Sequence, residues 1–111
     1  MIVVLFRSRL TAQAGDDYAA MDKELSAIVR QAPGFIDVKS FKSEDGERLT
    51  VVWWEDKETL RQWRDLHVHR EAQATGRRKW YEYYKMEVAT VDRISAFDRH
   101  DGESSASAQG S

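Results

Sequence analysis

Two hydrophobic periodicities alternate along this chain in the order strand, helix, strand, strand, helix, strand, and that order leaves few folds open. Ile2 to Leu10 is a run of β-branched and large apolar residues broken only by Arg7, Ser8 and Arg9, the pattern of a central strand buried on both faces. A helix follows, in which Asp16 and Asp17 behind Gly15 mark the start. Tyr18, Met21, Leu25, Ile28 and Val29 then recur at helical spacing until Pro33-Gly34 stops the pattern. This stripe reads as core-facing, with nothing that calls for a cofactor. Phe35 to Lys42 predicts a second strand and Leu49 to Trp54 a third, joined into a hairpin by the turn sequence Ser43-Glu44-Asp45-Gly46. A second helix opens at Asp56, a suitable N-cap, and carries Leu60, Trp63 and His67 on one face. Its pattern bends near His67 and Val68, resumes through Ala72, and ends at Gly76, read as a left-handed residue just past the helix. The last strand is expected from about Tyr83 to Ile94, with Tyr84, Met86 and Val88 alternating against Lys85, Glu87 and Ala89.

This is the split-βαβ, ferredoxin-like arrangement of the α+β class, in which both helices cover one face of a four-stranded antiparallel sheet. The opposite face has no cover, yet the first, third and fourth strands carry apolar residues at both parities, including Val51-Val52 and Trp53-Trp54. Apolar patches beyond a few hundred Å² are uncommon on monomers, so a homodimer joined through the sheet face is expected. A chain of 111 residues suits one domain. We place that domain at residues 1–94 and read 95–111, a stretch of Asp, Gly, Ser, Ala and Gln, as a C-terminal extension that is partly disordered.

Charge and composition narrow the partners. Residues 1–94 carry 16 Lys and Arg against 16 Asp and Glu, and that balance argues against nucleic acid, whose binding needs a basic surplus. The basic run Arg77-Arg78-Lys79 reads as a solvated helix end, because adjacent charges point around a helix. No apolar stretch is long enough to span a bilayer, and Ile2 to Phe6 reads as a strand rather than a signal, so no membrane partner and a cytoplasmic location are expected. Cysteine is absent, which removes thiolate chemistry and cysteine metal sites. His67 and His69 stand two residues apart and cannot form a metal pair of the i, i+4 kind, so no metal is expected. Neither a Gly-rich dinucleotide fingerprint nor a phosphate loop occurs.

The stretch Val52-Trp53-Trp54-Glu55-Asp56, with Leu60, Trp63-Arg64, His69-Arg70-Glu71-Ala72-Gln73, Gly76-Arg77, Trp80-Tyr81, Tyr84, Val88, Val91 and Arg93, resembles the antibiotic biosynthesis monooxygenase family of dimeric α/β barrels. Element order agrees with that family across residues 1–94. The resemblance implies a pocket inside each protomer, between helices and sheet, with no cofactor and a small phenol- or quinol-like aromatic as substrate. Trp63, His67, Gln73, Trp80 and Tyr84 are then the candidate substrate-binding residues. His69 matches the family's recurrent histidine and is the candidate catalytic residue, as a donor to a substrate oxygen or a proton acceptor near neutral pH. It can equally cap the preceding helix, and Trp63, Trp80 and Tyr84 can equally be packing. A non-catalytic ligand-binding or structural dimer would show the same absence of cofactor motifs.

A haem-degrading branch belongs to the same family and can be laid against this chain. That branch has a helix tryptophan nine residues beyond the tryptophan that ends the third strand, as Trp63 stands nine beyond Trp54. Its axial histidine then falls on Gln73, and its first-strand asparagine on Ser8. An amide is a poor ligand for haem iron compared with imidazole, so haem binding through that position is not expected.

Overall fold

The computed structural model describes residues 1–100, apart from the side chains of His67 and Val68. Strand β1 (Ile2–Leu10) lies at the centre, β3 (Arg48–Trp54) and β4 (Tyr81–Thr90) pair with it on either side, and β2 (Phe35–Lys42) pairs with β3. The sheet order β2-β3-β1-β4 is antiparallel throughout. Helix α1 (Asp16–Val29) connects β1 to β2, while α2 (Lys57–Arg64), α3 (His67–Thr75) and a π-helical turn (Gly76–Trp80) connect β3 to β4. This is the α+β architecture that the periodicities predict.

Register decides which side chains meet. Ile2 stands opposite Trp54, Val4 opposite Val52, Phe6 opposite Thr50 and Ser8 opposite Arg48. Because side chains alternate across a strand, these residues share the face beneath the helices. The core sits at the Ile2 end of that face, where Ile2, Val4 and Trp54 pack against Val29, Leu60 and Trp63. Trp54 is the anchor, 1% exposed, and full burial of a large apolar side chain contributes ~1.5–3 kcal/mol. Val3, Leu5, Leu49, Val51 and Trp53 fall on the opposite parity, which no described helix covers.

Local chemistry fixes the connections. Asp56 caps α2 by accepting the Thr59 backbone N–H at 2.8 Å, an interaction worth ~1 kcal/mol. Gly34 turns the chain from α1 into β2 with φ of +79°, and any Cβ there would run into the Thr59 side chain. Glycine is required on both counts.

Four expectations change in detail. Strand β3 begins one residue earlier, at Arg48, and β4 spans Tyr81–Thr90 instead of Tyr83 to Ile94. The second shift has a simple cause: β4 follows its partner, and β1 offers Leu10 opposite Tyr81 and Ile2 opposite Thr90, with one further bond from Val91 N–H to the Met1 carbonyl. The break between α2 and α3 falls at Asp65 and Leu66, where Leu66 is extended, ahead of the expected bend at His67 and Val68. Gly76 does not end the helix in a left-handed conformation. It is helical, with φ of −58°, and the chain winds on through the π-helical turn. The reason for glycine is contact: a Cβ at Gly76 would lie 2.5–2.7 Å from the Tyr81 ring. Beyond Thr90 the described residues form no strand or helix, and residues 101–111 of the C-terminal extension lie outside the described part. No described helix is long and apolar enough to cross a membrane.

Candidate functional site

Between the helices and the inner sheet face lies a cavity of about 190 Å³. Its floor is the β1–β3–β4 register, with Phe6, Ser8, Arg48, Thr50, Tyr84 and Met86. Its roof comes from α1 through Tyr18, Met21, Leu25 and Val29, and from α2 and α3 through Trp63, His69 and Gln73. The α1 stripe, expected to be plain core, therefore supplies cavity wall over most of its length; of its residues only Val29 is fully buried.

Trp63 and His69 form one end of this space. The Trp63 ring lies 6.3 Å from Trp54 and 5.2 Å from the His69 ring, centroid to centroid. The Arg64 backbone, at the end of α2, lies close enough to the His69 ring to favour its charged form, while burial favours the neutral one and prevails. The ring pKa is therefore lowered and the imidazole is neutral near pH 7. Its Nδ1 is buried and has no hydrogen-bond partner among the described residues.

The other end is phenolic and charged. Trp80 is buried beneath Tyr18, 5.5 Å between ring centroids, and its Nε1–H donates to Asp17 Oδ2 at 3.1 Å. The indole N–H is thereby occupied, and the ring is what remains for a neighbour. Tyr84 packs on Phe6 at 5.4 Å and its hydroxyl accepts from Arg77 Nε at 2.8 Å. Tyr81 lies against Phe6, Tyr18 and Tyr84. Burial pushes both the Tyr18 and the Tyr81 phenol above their ordinary pKa, so both stay protonated at neutral pH. Arg48 completes this end, its guanidinium carbon 5.9 Å from the centre of the Tyr18 ring.

The structure thus brings Trp63, His69, Gln73, Trp80 and Tyr84 to one cavity. His67 opens α3, and its side chain lies outside the described part. Tyr18, Tyr81 and Arg48 are the residues that sequence reasoning missed. The strand register would have placed Arg48, since the antiparallel pairing of β1 with β3 sets it opposite Ser8 on the inner parity. Tyr18 was in view, but only as a member of an apolar stripe. No group of three or more His, Asp or Glu residues able to hold a metal occurs among the described residues. Gln73 stands in the cavity wall where the haem-degrading branch would place an imidazole, and an amide there does not fit haem ligation.

The comparisons with known proteins agree with this geometry. A family model described as antibiotic biosynthesis monooxygenase matches residues 1–75. The uncharacterized protein YqjZ of Bacillus subtilis is 31% identical over 97 residues, covering 87% of this chain and 84% of its own. A jasmonate monooxygenase of Pyricularia oryzae is 31% identical over 93 residues, 82% of this chain but 43% of that protein, so the chain spans less than half of it. Among solved structures, SnoaB, a cofactor-independent oxygenase from Streptomyces nogalater, superposes with a TM-score of 0.68 at 13% identity, covering 83% of this chain and 93% of that one. At that identity the likeness is one of fold. The family model spans well over half of the sequence, and with the YqjZ match it places this chain in the antibiotic biosynthesis monooxygenase family.

Proposed function

We propose that this protein is a cofactor-independent monooxygenase that oxidises a small phenol- or quinol-like aromatic. The observation that carries the reading is the buried, unpartnered Nδ1 of a neutral His69 in the wall of an aromatic-lined cavity. In the neutral tautomer that carries its proton on Nε2, such a nitrogen is a proton acceptor. A volume of about 190 Å³ falls below the ~300–1,000 Å³ of drug-sized sites and suits one or two rings. His69 takes the phenol proton, the phenolate passes electrons to O₂, and a ring C–H becomes C=O. One oxygen atom stays in the quinone and the other leaves as water, so the substrate supplies every electron that a flavin or metal would otherwise carry. Trp63, Trp80 and Tyr84 hold the ring, and the Gln73 amide offers a hydrogen bond. Monooxygenase is also the activity for which the family and the Pyricularia oryzae relative are named.

Oxygen uptake with simple phenols and quinols tests this. For an accepted substrate, His69→Ala should lower turnover ~10²-fold with the fold intact, the usual scale for one acid–base group. Because burial depresses the His69 pKa below 6.5, the active base should be lost only as pH falls beneath that value, and this acid limb should vanish in His69→Ala. An unchanged rate would leave His69 a cap of α2 and nothing more.

We also propose that two copies pair through the outer sheet face. Val3, Leu5, Leu49, Val51 and Trp53 make its centre apolar, while Arg7 and Arg9 meet Glu47 and Asp45 at its end. Sedimentation should give about twice 12.9 kDa. A monomer at micromolar concentration would sink the pairing.

A further inference from the structure

Three arginines gather where the β2–β3 hairpin meets β1, and the chain treats one of them differently. Arg7 pairs with Glu47 at 3.2 Å and Arg9 with Asp45 at 3.4 Å. Glu47 also accepts the Tyr83 hydroxyl at 2.6 Å. Those carboxylates serve the outer face. Arg48 follows Glu47 directly, so strand alternation turns it to the inner face, opposite Ser8. There the guanidinium is half-buried and makes no ion pair or hydrogen bond with any described residue; its neighbour is the Tyr18 ring. Asp22 also lines this end, but it is exposed and not within ion-pair distance of Arg48. The Tyr18 ring in turn packs against Tyr81, 6.1 Å between ring centroids.

Five guanidinium donors therefore lie beside the Tyr18 phenol at the end of the cavity away from His69, with no hydrogen bond or ion pair to any described residue. A partly desolvated cation in this state gains most from a planar anion, which a guanidinium grips with two parallel bonds. Arg48 opens β3 and Trp54 closes it, so Arg48 and the Trp63–His69 pair line opposite ends of one cavity. We propose that Arg48, assisted by Tyr18, is a carboxylate subsite, and that the substrate is an aromatic acid whose oxidised ring lies toward Trp63 and His69. The proposal rests on the reading of the cavity as an oxygenase site, but its binding prediction stands apart from turnover.

Calorimetric titration with 6-hydroxy-2-naphthoate and with 6-hydroxy-2-naphthamide, flat phenols of one size, separates charge from shape. The acid should bind the unaltered protein at least tenfold more tightly. Arg48→Gln should abolish that preference by weakening the acid and sparing the amide, Arg48→Lys should retain part of it, and Tyr18→Phe should reduce it severalfold. Thermal unfolding of each variant checks that the fold survives. Equal affinity for acid and amide, an equal loss of both in Arg48→Gln, or binding of neither would overturn the subsite. Parallel oxygen-uptake measurements keep the two readings distinct: an intact acid preference without oxygen consumption for any phenol would remove the oxygenase reading and leave the subsite.

Discussion

The Trp63–His69 end of the cavity depends on a broken helix, whereas the Tyr18–Arg48 end depends on where two strands begin. At the first end, the break at Asp65 and Leu66 lets α3 set off in a new direction, so that His69 comes back beside the Arg64 backbone and lies against Trp63. Both residues sit within one connection between β3 and β4, and their geometry is local. At the second end the parts come from the whole chain: Ser8 from β1, Tyr18 from α1, Arg48 from the hairpin, and Tyr81 and Tyr84 from β4. Two helices clamp the first end, and mostly aromatic ring contacts close the second. On the proposed reading, the proton acceptor sits on a short local connection, and recognition falls to residues gathered from the rest of the chain.

The sharpest way to break that division is Gly76→Ala. Gly76 is helical, so alanine would ordinarily gain ~0.8–1 kcal/mol there. Its Cβ would, however, stand 2.5–2.7 Å from the Tyr81 ring, and overpacking of this kind costs ~1–3 kcal/mol. The clash should win, giving a net loss of ~1 kcal/mol in denaturant unfolding. Displacing Tyr81 should also weaken the preference for the acid at Arg48 while leaving the acid limb of the His69 pH profile in place. A stabilised variant would show that the Tyr81 ring moves freely and that the second end is not held by packing.

The same division explains what could be read from the sequence. Strand order, the hairpin and the start of α2 at Asp56 follow from short-range signals, and the spans of β1 and β2 coincide with their apolar runs. Trp63, His69, Gln73, Trp80 and Tyr84 were legible as candidates because the family pattern runs through α2, α3 and β4. Arg48 and Tyr18 were not, since nothing near Arg48 in sequence marks it: Arg7, Arg9 and Arg48 look alike until pairing assigns Glu47 and Asp45 to the first two. Gly76 was misread for a related reason, as a glycine at a helix end suggests a left-handed cap when only the backbone is considered. Its contact with Tyr81 is invisible without the π-helical turn that brings the ring back over it.

A smaller effect sharpens the comparison by asking what ties the two ends together. Asp17, in the first turn of α1, accepts from Lys79 Nζ at 2.7 Å and from Trp80 Nε1 at 3.1 Å, which straps the π-helical turn to the helix that carries Tyr18. The Lys79 ammonium, then the Trp80 indole, hold the Asp17 carboxyl down to a pKa of about 2 against an ordinary 3.8. A carboxyl depressed on folding lends stability that is complete above its unfolded pKa and is lost as pH falls through the folded value. The strap should therefore be fully engaged at neutral pH and release only between about pH 4 and pH 2. Because Asp17 is exposed, Asp17→Asn should lower the melting temperature only slightly, as solvent-screened pairs do. Carboxyl NMR titration reads the effect directly, with a midpoint near 2 expected for Asp17. A midpoint at 3.8 would show that the carboxylate stands free in solution, and the Tyr18–Arg48 end would then be held by its ring contacts alone.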